Sequence, residues 1–178
     1  MYRYYADIAP AALRMLRWLL RLPGGNREEG LRQIEDARRG GQIVRGEAAY
    51  QLHLIYLWYE KRSGDALTLV RELQDRYPHN PLFYQIEAEI HDIYFHDAAA
   101  SLAASSDLLA RAKAGSVRDA ELASVRARLN TAIQLDRLGR TAQAIAVLRL
   151  IVTERPSRPF GVTARADALL QQFTRRCC

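Results

Sequence analysis

The chain has 178 residues, 49% of them apolar and 26% charged, a length that favours one domain with a sizeable core and a balance that excludes a disordered segment. Its formal charge is +6, from 26 basic and 20 acidic side chains, and lysine is confined to Lys61 and Lys113; arginine in place of lysine is explained as readily by a GC-rich genome as by phosphate binding. The only cysteines are the adjacent Cys177 and Cys178, which excludes a disulfide framework and a closed zinc site.

In chain order, residues 8–22 read as an amphipathic helix. Leu13, Leu16, Trp18, Leu19 and Leu20 form a broad apolar face, and Arg14, Arg17 and Arg21 fall in one sector at about 100° per residue. As a membrane span the segment fails, because three arginines interrupt it and roughly 20 apolar residues are needed. As a leader it fails because the arginines lie inside the apolar run. The expected role is a first helix with a solvated basic face. Pro23-Gly24-Gly25-Asn26 ends it, and Asn26 with Glu28 and Glu29 gives a capped start to a helix over 27–39, whose inward residues are Leu31, Ile34 and Ala37. Gly24-Gly25 lacks the strand, third glycine and Gly-Lys-Ser/Thr of a nucleotide loop.

The chain is organised around residues 47–78. Between Ala48 and Tyr59 only Gln51 and His53 are plainly polar, so this helix must be covered on more than one side. Arg62-Ser63-Gly64-Asp65 supplies the turn. A second helix follows on Ala66, Leu67, Leu69, Val70 and Leu73, closed by Tyr77-Pro78. The unit is an antiparallel helix hairpin. His79-Asn80-Pro81 opens another in step with it: Tyr84 lies 34 residues after Tyr50, and Ala100 lies 34 after Ala66. An alanine-rich helix follows over 98–114, then a long helix over 119–138, a turn at Gly139-Arg140-Thr141, and a partner over 142–154 stopped by Arg155-Pro156 and Pro159. Residues 162–173 form a last helix.

Tyr50, Ala66 and Pro78, with Ala88, Ala132, Gly139 and Ala144 in the later units, give this chain its family likeness. It resembles the tetratricopeptide repeat (TPR) superfamily, built on a 34-residue helix-turn-helix with an aromatic early in its first helix, small residues at the helix crossing and a closing proline. LGRTAQAIAVLRLIVTERP is the closest match, and Leu54 departs from the pattern in a slot that takes glycine or alanine. The looser spacing and longer helices are similar to divergent bacterial members. The resemblance implies an all-α, right-handed superhelix in a single domain, with hairpins over about 8–40, 46–78, 81–114 and 118–156 and a capping helix over about 162–174. It also implies a concave face that holds a protein or peptide, lined here by Gln51, Ile55, Trp58 and Tyr59, by Gln85, Glu89 and Asp92, and by Arg126, Asn130, Ile133 and Arg137. Trp58 and Ile55 serve equally well as core. The lysine and asparagine set with which chaperone-binding members hold a terminal carboxylate is absent, and the ends of such a stack offer a route to self-association.

Chemistry finds little support. His91-Asp92-Ile93-Tyr94-Phe95-His96-Asp97 puts Asp92 and His96 four apart, a two-ligand spacing on a helix, but His91 and His96 are five apart and no third ligand is near. There is no Gly-X-Ser-X-Gly elbow, and no cysteine in a segment that also holds a histidine. The expectation is a non-enzymatic scaffold without cofactor or metal. The alternatives are a metal or catalytic centre at 91–96 and nucleic-acid binding by the C-terminal end, where eight arginines (137, 140, 149, 155, 158, 165, 175, 176) face Glu154 and Asp167 alone. Nucleic acid is the less expected partner, because those arginines are spread over several helices without interleaved aromatics. With no leader or span legible the default compartment is the cytoplasm, unless the chain is a piece of a longer secreted or periplasmic protein.

Overall fold

A computed structural model describes residues 1–10 and 24–177. Among these the fold is all-α, with no strand. The helices are α1 (Tyr2–Ile8), α2 (Arg27–Gly40), α3 (Arg45–Trp58), α4 (Ser63–Arg76), α5 (Pro81–Ile93), α6 (Ala98–Lys113), α7 (Ala120–Arg137), α8 (Thr141–Glu154) and α9 (Val162–Cys177). The chain divides into two compact units, Met1–Leu69 and Val70–Cys178, with the boundary inside α4.

In the first unit α1 packs on α2 and α2 on α3. The expected helix over 8–22 falls mostly on residues 11–23, which lie outside the described residues. Helix α1 ends where that helix was expected to begin, at Ile8, because Pro10 drives Ala9 into extended backbone (φ −64°, ψ 144°). Helix α2 starts as its sequence predicts, with the Asn26 side chain accepting from the Glu29 N–H at 2.9 Å. Gly30 is required by a close approach: a Cβ there would sit 2.6 Å from the Tyr4 backbone nitrogen. Tyr4 is fully buried, and its hydroxyl donates to Glu60 at 2.6 Å while the Arg27 guanidinium grips both oxygens of the same carboxylate. Helix α3 buries Ala48, Ala49, Leu52, His53, Ile55, Tyr56 and Leu57, a set that runs round most of its circumference, as its composition demands.

In the second unit each helix from α5 to α9 packs on the next, and α5 also lies against α7. Helix α5 carries Pro81 at its start and Asn80 as its cap, accepting from the Leu82 N–H at 3.1 Å; Asp97 caps α6, accepting from Ala100 N–H at 2.9 Å. The 34-residue step fails by one position in α6. The small residue buried there is Ser101, whose hydroxyl donates to the Ala88 carbonyl at 2.9 Å, while Ala100 is half-buried.

Helix α7 is the spine of this unit. One cluster joins Val125, Leu129, Ala132 and Leu135 to Ala144, Leu148 and Ile151 of α8 and to Val162, Ala166 and Phe173 of α9. A second joins Ala123 and Ala127 to Tyr84 of α5 and to Leu108 and Ala112 of α6. Each fully buried leucine or isoleucine contributes about 2 kcal/mol by removal from water, and alanines at 127, 132 and 144 let the helices approach. The turn from α7 to α8 uses Gly139 at φ 74°, a left-handed conformation that glycine adopts without strain.

Candidate functional site

With two sides of α7 committed to packing, its remaining stripe carries Arg126, Asn130, Ile133 and Arg137, spaced i, i+4, i+7 and i+11 so that they share one face. On α5, Phe83, Tyr84, Ala88 and Ile90 are buried, leaving Gln85, Glu89 and Asp92 on the opposing face. The stripes meet. Arg126 donates to Gln85 Oε1 at 2.9 Å, Gln85 donates to Glu89 at 2.7 Å, and Arg137 pairs with Asp92.

Between the stripes lies a cavity of about 490 Å³, lined by Gln85, Glu89, Asp92, Arg126, Asn130 and Ile133 together with Ser105 and Leu108 of α6 and with Pro159, Phe160, Gly161, Val162 and Arg165 beyond α8. Seven of the eleven residues predicted from sequence are thus gathered at one groove, Arg137 reaching it through Asp92. A second cavity of about 450 Å³ adjoins the first at Gln85, Leu108 and Arg126, and extends past the starts of α5 and α7 to Arg76, Tyr77, His79, Leu82, Arg118 and Leu122.

Behind the groove a polar network reaches its surface through Asn130 and Ser105. The Asn130 amide nitrogen donates to Ser101 Oγ at 3.1 Å and to Ser105 Oγ at 2.7 Å, and Gln134 donates to Asn130 Oδ1 at 3.1 Å. Gln134 is fully buried with its Oε1 unpartnered among the described residues. A network of this kind fixes the Asn130 side chain where it borders the groove. At the lip, Phe160 is fully exposed.

The other four predicted residues belong to the first unit. Ile55 is completely buried, so of the two places open to it, it takes the core. Trp58 is 61% exposed at the end of α3, and Tyr59 meets Tyr4 and Tyr5 edge to face at ring-centroid distances of 6.1 and 5.9 Å. Gln51 donates to Glu47 at 2.8 Å along its own helix.

The two-ligand reading at 91–96 is corrected by the helix end. Helix α5 stops at Ile93 and His96 adopts φ 54°, so Asp92 and His96 share no helical face, and Asp92 is held by Arg137. No group of three histidine, cysteine, aspartate or glutamate side chains among the described residues is placed to hold a metal. Of the eight C-terminal arginines, Arg137 pairs with Asp92, Arg158 lies 4.0 Å from Asp119, Arg176 pairs with Asp136 at 2.7 Å and Arg140 donates to Gln143. Three of the eight are thus matched with a carboxylate. Among the described residues no helix is long and apolar enough to cross a membrane.

Sequence reasoning missed the lip at Pro159-Phe160-Gly161 and the serine floor. A large apolar residue between two turn formers, and Ser101 and Ser105 one helical turn apart in an alanine-rich helix, were the available signals. Comparison with family models, with characterised proteins and with solved structures finds no match to this chain.

Proposed function

We propose that the chain is a divergent TPR-like helical-repeat protein that works by binding, not catalysis, and that the groove between α5 and α7 receives a peptide segment of another protein. The pairing of α5 with α6 and α7 with α8, with α5 lying against α7, is the neighbour relation expected when the first helices of successive hairpins stand side by side; α9 covers the end of the last pair. The single observation that carries the reading is the facing of two stripes, Gln85-Glu89-Asp92 and Arg126-Asn130-Ile133, across one cavity with a polar floor. Such a surface offers amide and carboxylate partners for a peptide backbone, and Leu108, Ile133 and Phe160 for its apolar side chains.

The test is selection of binders from a displayed random-peptide library, followed by Ile133→Arg. Ile133 is half-buried at the wall, and a charged arm there obstructs the groove. The expected result is enrichment of a common sequence pattern whose binding drops at least about tenfold in the variant, with an unchanged helical circular dichroism spectrum. Absence of any enriched pattern, or binding that ignores the substitution, overturns the reading.

A further inference from the structure

Resting on that reading, we infer that the segment the groove accepts is acidic, with an apolar residue seated between its carboxylates at the mouth formed by the starts of α5 and α7. The mouth is lined by Arg76, Arg118 and Arg126 around an apolar floor of Leu82, Leu108 and Leu122. All three arginines are exposed, and none has a carboxylate within ion-pair reach among the described residues. Arg76 lies over the Tyr77 ring at 5.9 Å, Arg126 is joined only to the neutral Gln85, and Arg118 is held through its backbone. The one acid in the mouth, Asp119, stands 4.0 Å from Arg158. In the adjoining cavity Asp92 is neutralised by Arg137, and Arg165 lines the same wall as Glu89. The whole groove therefore presents a surplus of uncommitted guanidinium groups, each able to take a carboxylate in a two-pronged hydrogen bond.

The mouth is also built before any ligand arrives. Arg118 N–H donates to the His79 carbonyl at 2.9 Å, and the His79 Nδ1–H donates to the Ser116 carbonyl at 2.7 Å. These bonds lock the loop before α5 to the loop before α7. Pro78 and Pro81 restrict the same loop further, so little ordering opposes binding. Leu82 and Leu122 between the arginines give an apolar side chain a place that a purely polyanionic ligand would not fill.

The test uses the whole chain and three synthetic peptide pools of equal length, each with one central leucine or phenylalanine flanked by glutamate and aspartate, by glutamine and asparagine, or by lysine. A single-stranded oligonucleotide is the fourth probe. The expected result is that the acidic pool binds at least about tenfold tighter than the lysine pool, loses that margin as salt is raised, and yields the preference to the lysine pool in the double variant Arg76→Glu, Arg118→Glu. Those two residues line the mouth and not the adjoining cavity, so Ile133→Arg remains an independent probe of the groove. Equal binding of all three pools, abolished by Ile133→Arg, overturns the acidic assignment and leaves peptide binding standing. No binding of any pool overturns both, and an oligonucleotide that outcompetes the acidic pool assigns the arginines to phosphate instead.

Discussion

His53 shows how far one buried side chain governs the behaviour of the first unit. It lies fully buried in α3 beside the Tyr50 ring at 4.7 Å, with Nδ1 unpartnered among the described residues, and burial pulls its pKa from the usual 6.5 to about 4. In the unfolded chain the imidazole takes up a proton below about pH 6.5, while the folded chain resists until about pH 4, so the unfolded state binds more protons across that window. Stability is therefore intact above pH 6.5 and falls as the pH drops toward 4, by about 3 kcal/mol in total. Glu35 is held below its ordinary range: burial opposes that shift, but the Tyr56 hydroxyl and Arg38 outweigh it. Glu60 is held low chiefly by Arg27, so both carboxylates add their losses only at lower pH. Melting temperature measured from pH 7.5 down to pH 4 should decline steadily below pH 6.5, and His53→Leu should flatten that decline. A wild-type curve that is level down to pH 4.5 would contradict the assignment.

At the scale of the element, α3 and α7 illustrate what periodicity does and does not reveal. Helix α3 is apolar round much of its circumference, and composition alone says that it is enclosed, whereas α7 mixes apolar and charged residues. Which residues remain outside depends on the neighbours. In α7 the packing partners leave a clean stripe, and the register carried over from the repeat resemblance puts Arg126, Asn130, Ile133 and Arg137 on it. In α3 the same resemblance left Ile55 and Trp58 open between groove and core, and tertiary packing placed Ile55 in the core while Trp58 stayed exposed. Ile55→Ala should cost about 2–5 kcal/mol, as an emptied core site does, while Trp58→Ala, at a position 61% exposed, should cost less than about 1 kcal/mol. Urea unfolding of the two variants distinguishes them, and equal losses would show that Trp58 is enclosed. Helix starts were readable at Asn26 and at Asn80-Pro81, and the structure adds the Asp97 cap of α6. The end of α5 was not readable, because no proline or glycine stands in His91–Asp97; α5 stops at Ile93 and His96 turns left-handed just before the Asp97 cap of α6.

For the molecule as a whole, the sequence resolved the all-α class and the order of most helices through hairpin spacing, glycine and proline punctuation, and capping residues. It did not disclose α1, whose seven residues are stabilised by Tyr4 against Gly30 and Glu60 and not by any pattern of their own. Nor did it disclose the lip at Phe160, the serine floor or the arginine mouth. The mouth is assembled from segments far apart in the chain, so no single window of sequence contains it, and the lip and the serines, though each local, gain their meaning only from what they are folded against. The net charge of +6 also misled by position: much of the C-terminal excess is consumed by Asp92, Asp119 and Asp136, and uncommitted arginines gather at the start of α7.

The groove between α5 and α7 is the proposed meeting place of this protein and its partner. The most direct measurement is an amide chemical-shift map of the isotope-labelled chain titrated with the tightest peptide from the acidic pool. The account predicts saturable shifts concentrated at Gln85, Glu89, Arg118, Arg126, Asn130 and Ile133, with Ser101 and Ser105 of the floor following. Shifts confined to α8 and the far face of α9, or to residues of the first unit, would contradict it.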